Sequence, residues 1–188
     1  MQNGRYLRSL TVACAALALS SAAHAAEWKL IKDTSRVSFT ATQQGSEFTG
    51  RFAAFDADIT FDPGAPESGR IVGTVETASV NSRDSDRDVT MLDRDWFDVM
   101  SYPESRFESE RIEAVDDGTY RAHGQLTLKG RTKPMVLDFT FDTADDSSAH
   151  LSGTMHINRF DFAVGEGWND TSYIGEDVVV QVELDLSR

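Results

Sequence analysis

Cysteine is all but missing: the 188 residues hold one, Cys14, and it lies in the first apolar stretch. Beyond that stretch no disulfide and no thiolate-ligated metal can form, so packing alone must hold the chain together. Positive charge is scarce too, with 18 Lys and Arg against 31 Asp and Glu and a formal net charge of −13. That imbalance excludes nucleic acid as a partner, because phosphates are met by clustered Lys and Arg, and it disfavours anionic lipid surfaces. There are only 4 Pro, and no repeat, linker or low-complexity tract divides the chain. No apolar run is long enough for a convincing transmembrane helix. What is plentiful is core material, 40% hydrophobic residues with 11 Phe, which suits one folded domain.

The first 25 residues read as a secretory leader. Arg5 and Arg8 supply the positive start, Leu10 to Leu19 the short apolar core, and Ala23 and Ala25 the small residues before a cut at Ala26. Cleavage would remove both arginines, Cys14 and no acid, leaving residues 26–188 with a net charge of −15. The expectation is export of that portion.

The remainder alternates apolar and polar residues with period two. Val37, Phe39 and Ala41 share a face, and Phe48, Gly50 and Phe52 repeat it across the Gln43–Ser46 turn. Phe55 to Phe61, Arg70 to Val80, Tyr120 to Leu128, Met135 to Phe141, Leu151 to Ile157 and Val178 to Leu186 continue the pattern. About eight strands with one apolar face each imply an all-β antiparallel fold, a barrel or a sandwich. One stretch departs: Val89, Leu92, Trp96 and Phe97 recur at helical spacing between Asp86 and Met100, so one short helical insertion is expected.

Small barrels either fill with side chains or enclose one ligand. Phe39, Phe48, Phe52, Leu126, Leu128 and Phe139 share inward parity and are expected to line one elongated apolar space. Among the other aromatics, Trp96, Phe97, Phe107, Phe160 and Phe162 suit core or cavity wall. Trp168 lies in the loop Gly165-Glu-Gly-Trp-Asn-Asp170, where a large ring has reason to be only over a mouth or against a partner. The Gly165–Gly175 loop and the helical insertion are the segments suited to opening the barrel.

Catalytic and metal chemistry find little support. His123, His150 and His156 fall opposite the inward residues of their strands, so no metal site or cofactor is expected. Asp84-Ser-Asp86-Arg-Asp88 begins like a calcium loop, but Val89 stands where glycine is required and Asp95 where glutamate is. No nucleophile elbow or phosphate loop occurs. Acids are too numerous for any pair to stand out as catalytic.

Six stretches, taken in order, resemble the YceI-like family over nearly all of residues 26–188. They are Gly50-Arg-Phe-Ala-Ala-Phe55 with Ile59-Thr-Phe-Asp62, Ala78-Ser-Val-Asn-Ser82, and Leu92-Asp-Arg-Asp-Trp-Phe-Asp98 with Tyr102-Pro103. Phe107-Glu-Ser109, Gly124-Gln-Leu-Thr-Leu-Lys-Gly130 and Arg159-Phe-Asp-Phe162 with Gly165 complete the set. The resemblance implies an elongated, lipocalin-like, eight-stranded antiparallel barrel whose interior binds a polyisoprenoid or similar long-chain amphiphile, and export to the bacterial periplasm. It also raises association with a membrane b-type cytochrome. Many members carry a His before the glycine of the first hairpin; Gln44 stands there in this chain. The expected function is carriage or sequestration of a lipid such as a prenyl or quinone tail, without an enzymatic step. The alternatives are a carboxylate-based hydrolase and a cytochrome interaction module.

Overall fold

Residues 26–116 and 118–188 are described by a computed structural model, and the leader expected over 1–25 lies outside them. Eleven strand segments form one antiparallel sheet that closes into a barrel of eight staves. Three staves are broken in the middle. β1 (Ala26–Leu30) and β2 (Arg36–Gln43) form the first, β3 (Ser46–Phe52) and β4 (Phe55–Phe61) the second, β5 (Arg70–Glu76) and β6 (Val80–Asn81) the third. β1 pairs with β4, β2 with β3 and β6 with β3, so these breaks fall at one level. The Ser79 carbonyl and hydroxyl receive the backbone N–H groups of Ala53 and Ala54 there. β7 (Glu104–Asp116), β8 (Thr119–Leu128), β9 (Arg131–Asp145), β10 (Ser148–Asn158) and β11 (Asp177–Ser187) follow as continuous neighbours. β11 then pairs with both β1 and β2, leaving no open edge at the seam.

Two-residue turns set the register of two hairpins. Gln44 and Gly45 have φ of 51° and 75°, and Lys129 and Gly130 have 48° and 70°. Positive φ at both positions is the backbone twist that tight hairpins need.

Two features differ from the expected layout. β7 was not among the expected strands, while Phe48–Phe52 and Phe55–Phe61 belong to one stave rather than two. The reason lies in β7 itself: its inward positions include Ser105 and Ser109 beside Phe107, and its register shifts between Ser109 and Arg111 before Ile112. Buried serine and a bulge together erase period-two alternation. The helix, α1, spans Ser85–Leu92 and ends at Asp93; residues 93–102 continue as turns. Its buried residue is Met91, whereas Val89 is 63% exposed.

One end of the barrel is solid. Phe61, fully buried, packs edge-on against Tyr120 at 4.9 Å, Phe139 at 5.4 Å and Phe141 at 4.9 Å. Trp28 completes the cluster against Phe141, and its indole N–H donates to the Phe61 carbonyl at 3.0 Å. Such interlocked rings add to area burial, and the indole donor is satisfied.

Candidate functional site: an apolar cavity at one barrel end

The opposite half of the barrel encloses a cavity of about 450 Å3, where the small residues Ala41, Ala57 and Gly73 interrupt a wall of larger apolar side chains. Ala57 and Gly73 face each other across β4 and β5. A Cβ built on Gly73 would meet nothing within 4 Å, so this glycine is a place where the wall is thinned. The other inward glycines are structural. Gly50 lies under the Phe39 ring, where a Cβ would come within 2.3 Å of Cζ. Gly124 lies against the β7 bulge, 2.2 Å from the Glu108 carbonyl by the same construction, and Gly153 lies under Val182, Leu137 and Phe139.

A cap closes the hollow end. α1 starts at Asp84, whose Oδ1 accepts from the N–H groups of Asp86 and Arg87 at 3.1 Å. Asp88 Oδ1 accepts from the Ser82 N–H at 2.7 Å and hydroxyl at 2.6 Å. The turns after α1 carry Trp96 and Phe97 over the cavity, and the Asp95 carbonyl receives N–H groups from Gly165 and Glu166. Lys129 Nζ bridges the same two segments, donating to Asp95 O at 2.8 Å and Ala163 O at 2.7 Å. Burial pushes the Lys129 ammonium below its ordinary pKa, against the pull of Glu166, Asp95 and Asp98.

Arg159, only 3% exposed, organises the second part of the cap. Its five N–H donors meet five carbonyls: Gly175 from Nε, Val164 and Gly165 from Nη1, Trp168 and Ile174 from Nη2. Its guanidinium also lies 4.0 Å from the Phe160 ring centroid. Burial lowers its pKa, opposed by Glu176, and the group remains a cation. Both ends of the Gly165–Gly175 loop and its Trp168 carbonyl are therefore tied to one buried side chain. No local pattern announces this, since the five acceptors are backbone carbonyls.

The mouth lies between three elements. Gln43 and Phe48 come from the first hairpin, Arg87 and Thr90 with exposed Asp84 and Asp86 from α1 and its cap, and Trp168 and Tyr173 from the loop. Trp168 and Tyr173 stack at 5.9 Å with 41% and 38% exposure, and Trp168 also meets Trp96 at 6.0 Å. The Trp96 indole N–H is buried without an acceptor among the described residues. Gln44 is exposed, and its N–H donates to the Tyr173 carbonyl at 2.8 Å. Polar groups thus gather at the rim, while the interior is mainly apolar with Thr77 and Ser105 as buried hydroxyls in its lining.

Nine of the twelve residues named from sequence line this one cavity. Phe39, Phe48 and Phe52 come from the first hairpin, Phe107, Leu126 and Leu128 from β7 and β8, and Trp96, Phe97 and Trp168 from the cap. Three do not line it. Phe139 belongs to the solid end, because its strand crosses the barrel and its inward residues serve both halves. Phe162 is fully buried in the 3-10 turn Arg159–Phe162, and Phe160 lies under the Arg159 guanidinium. The residues not foreseen are Arg87, Arg159, Met91 and Gly73.

The histidines sit elsewhere. His123 Nε2 lies 2.9 Å from Glu113, and His156 is exposed. His150 stands outside the barrel between Asp185 at 2.7 Å and Glu183 at 3.0 Å, which raise its pKa, Asp185 foremost, while partial burial works the other way. Among the described residues no group of three His, Cys, Asp or Glu is placed to hold a metal ion.

Fold and site define a closed antiparallel β-barrel, solid at one end and carrying a ligand-sized apolar hollow at the other. The chain belongs to the YceI-like domain family, whose model matches residues 28–186. It is 34% identical over 164 residues to a UPF0312 protein of Pseudomonas putida (strain W619), covering 80% of this chain and 85% of that one. The crystal structure of Burkholderia cenocepacia BcnA superposes with a TM-score of 0.80 at 28% identity, over 84% of this chain and 99% of that one. A polyisoprenoid-binding domain from Saccharophagus degradans, implicated in plant cell wall breakdown, shares the fold at a TM-score of 0.68 and 15% identity, over 85% and 97% of the two chains.

Proposed function

We propose that this protein binds the apolar chain of a long amphiphile, a polyisoprenoid or similar lipid, in the hollow half of its barrel, and that it acts as an exported carrier or sequestering protein in the periplasm. The observation that carries this reading is the cavity of about 450 Å3, walled mainly by Phe, Leu and Val side chains. Burial of apolar chain in such a space contributes about 25 cal/mol per Å2, and no covalent step is needed. The polyisoprenoid-binding description of the Saccharophagus degradans domain supports the ligand class. Export rests on the leader pattern of residues 1–25.

A hydrolase reading is not favoured, because two of the three acids that line the cavity have other work. Asp84 caps α1 and Asp56 pairs with Lys32 at 2.8 Å. A cytochrome-docking module would be favoured by a solid barrel with an exposed aromatic patch, and the hollow interior weighs against it. The test is native mass spectrometry of gently purified protein, with a co-purified prenyl lipid as the expected result. No bound lipid, together with no saturable uptake of added prenyl lipid, overturns the reading.

A further inference from the structure

The hollow ends on a floor, and the sheet register shows which side chains build it. Ile71, Leu137, Leu151 and Leu184 line the cavity, and each is 5% exposed or less. All four adjoin the solid end of the barrel. Ile71 stands opposite Ile59, Leu151 stands opposite both Phe141 and Leu184, and Leu137 lies one inward position before Phe139 on β9. Phe139 and Phe141 in turn pack edge-on against the fully buried Phe61. A core packed in this way yields little, so a chain entering from the mouth stops at the four aliphatic side chains.

The space above the floor sets a capacity. A carbon atom in a filled cavity takes about 25–30 Å3, the range between benzene in a hollow of about 150 Å3 and a water's share of the liquid. A cavity of about 450 Å3 therefore holds about fifteen to eighteen carbons. Gly73 widens the wall just above Ile71, two residues further along β5 on the same face. A Cβ there meets nothing within 4 Å, so a side chain at this position would take up room that ligand carbons otherwise fill.

Building on the lipid-binding reading, we infer that this floor is a length gauge, and that the barrel buries about fifteen to eighteen carbons of its ligand, equal to about three isoprene units. Ile71, Leu137, Leu151 and Leu184 set the depth, and any longer chain leaves its remainder outside the mouth.

Straight-chain primary alcohols of about ten to twenty-two carbons test this, because each added methylene is one increment of burial. Each is titrated into the wild-type protein in competition with a fluorescent fatty-acid analogue. Affinity should rise about fourfold per carbon up to about fifteen to eighteen carbons, and then level off. In Gly73→Leu the break should come about four carbons earlier, since the new side chain occupies that much of the hollow. In Leu137→Ala it should come about three carbons later, because the truncation deepens the floor, and Leu184→Ala replaces that variant if it fails to fold. Affinity that climbs through the longest alcohol overturns the gauge and leaves the lipid reading intact. So does a break that stays in place in Gly73→Leu or in the folded floor variant. If no alcohol displaces the analogue, gauge and lipid reading fall together.

Discussion

Arg159 Nη2 donates to the carbonyl of Trp168 at 2.6 Å, so a buried cation holds the backbone of the residue whose ring covers the cavity mouth. The same guanidinium meets carbonyls of Val164, Gly165, Ile174 and Gly175, and among the described residues no carboxylate makes a hydrogen bond or ion pair with it. Its geometry depends on the planar fork, which supplies five donors in fixed directions. Arg159→Met should therefore cost about 3–5 kcal/mol in urea unfolding, because buried carbonyls lose their partners together. Amide exchange over residues 163–175 should quicken in step. Arg159→Lys should restore only part of the loss, since an ammonium offers three donors. Full recovery with lysine would mean that charge rather than the fork matters.

Two glycines of similar appearance in the sequence should behave oppositely. A Cβ at Gly73 meets open cavity, while one at Gly124 meets the Glu108 carbonyl and Ser109 Cα of the β7 bulge. Gly73→Leu should fold with unchanged or slightly raised stability, by about 0.5–1 kcal/mol, because strand glycine is costly in chain entropy. Lipid uptake should fall as the new side chain occupies the space. Gly124→Ala should destabilise by about 1–3 kcal/mol, as overpacking against backbone does. Thermal melts of both variants and a lipid titration of the first check the pair. A Gly73→Leu protein that binds lipid as before would place the ligand outside this hollow.

These glycines also show how far the residues alone could be read. Period two exposed the inward face of β2, β3, β8 and β11, because Phe39, Phe52, Leu126 and Val180 each alternate with polar neighbours. That suffices for an antiparallel barrel and for most of the cavity wall. Depth along the barrel axis is not written in parity: Leu126 and Phe139 point inward alike, yet one lines the hollow and the other fills the solid end. β7 was hidden by its buried serines and bulge. Arg159 was invisible as a keystone because its partners are carbonyls, which every residue has. The same holds for Arg87, whose place at the mouth depends on how α1 packs against the first hairpin.

His150 offers a pH signature on the outer wall. Its hydrogen bond to Asp185, and then that to Glu183, favour the imidazolium and raise its pKa above the ordinary 6.5. The folded state thus binds this proton more tightly than the unfolded chain. The stabilisation is complete below about pH 6.5 and is lost as pH rises through the raised folded value. Asp185 has the opposite sign, since hydrogen bonds from Thr34 and then His150 hold its carboxyl below the usual range; its contribution is lost as pH falls towards that lowered value. The stability difference between wild type and His150→Gln, from urea unfolding, should shrink between about pH 6 and about pH 8. It should stay under about 1 kcal/mol, because the group faces solvent. A difference that grows over that interval would contradict the assignment.

Trp168 separates a gate from a permanent plug. A long chain enters a closed barrel only where an end yields, and loops yield more readily than strand ladders. At the hollow end the candidates are the Trp168 ring, 41% exposed, and the Trp96 and Phe97 rings beneath it. Trp168 contributes its ring to the Trp96–Tyr173 stack, while its carbonyl, not its ring, is what Arg159 holds. Trp168→Ala therefore keeps the backbone tie and removes only the cover. Stability should change by less than about 1 kcal/mol, as for an exposed side chain away from the core. Release of a bound prenyl lipid, followed by stopped-flow displacement, should accelerate by about tenfold, since affinity differences within one site appear mainly in the off-rate. Trp96→Ala should instead lower stability by about 3 kcal/mol, the smaller loss among large aromatic deletions, because Trp96 is only partly buried. Release unchanged in Trp168→Ala would show that the ring is no gate, and that ligand passes elsewhere along the cap.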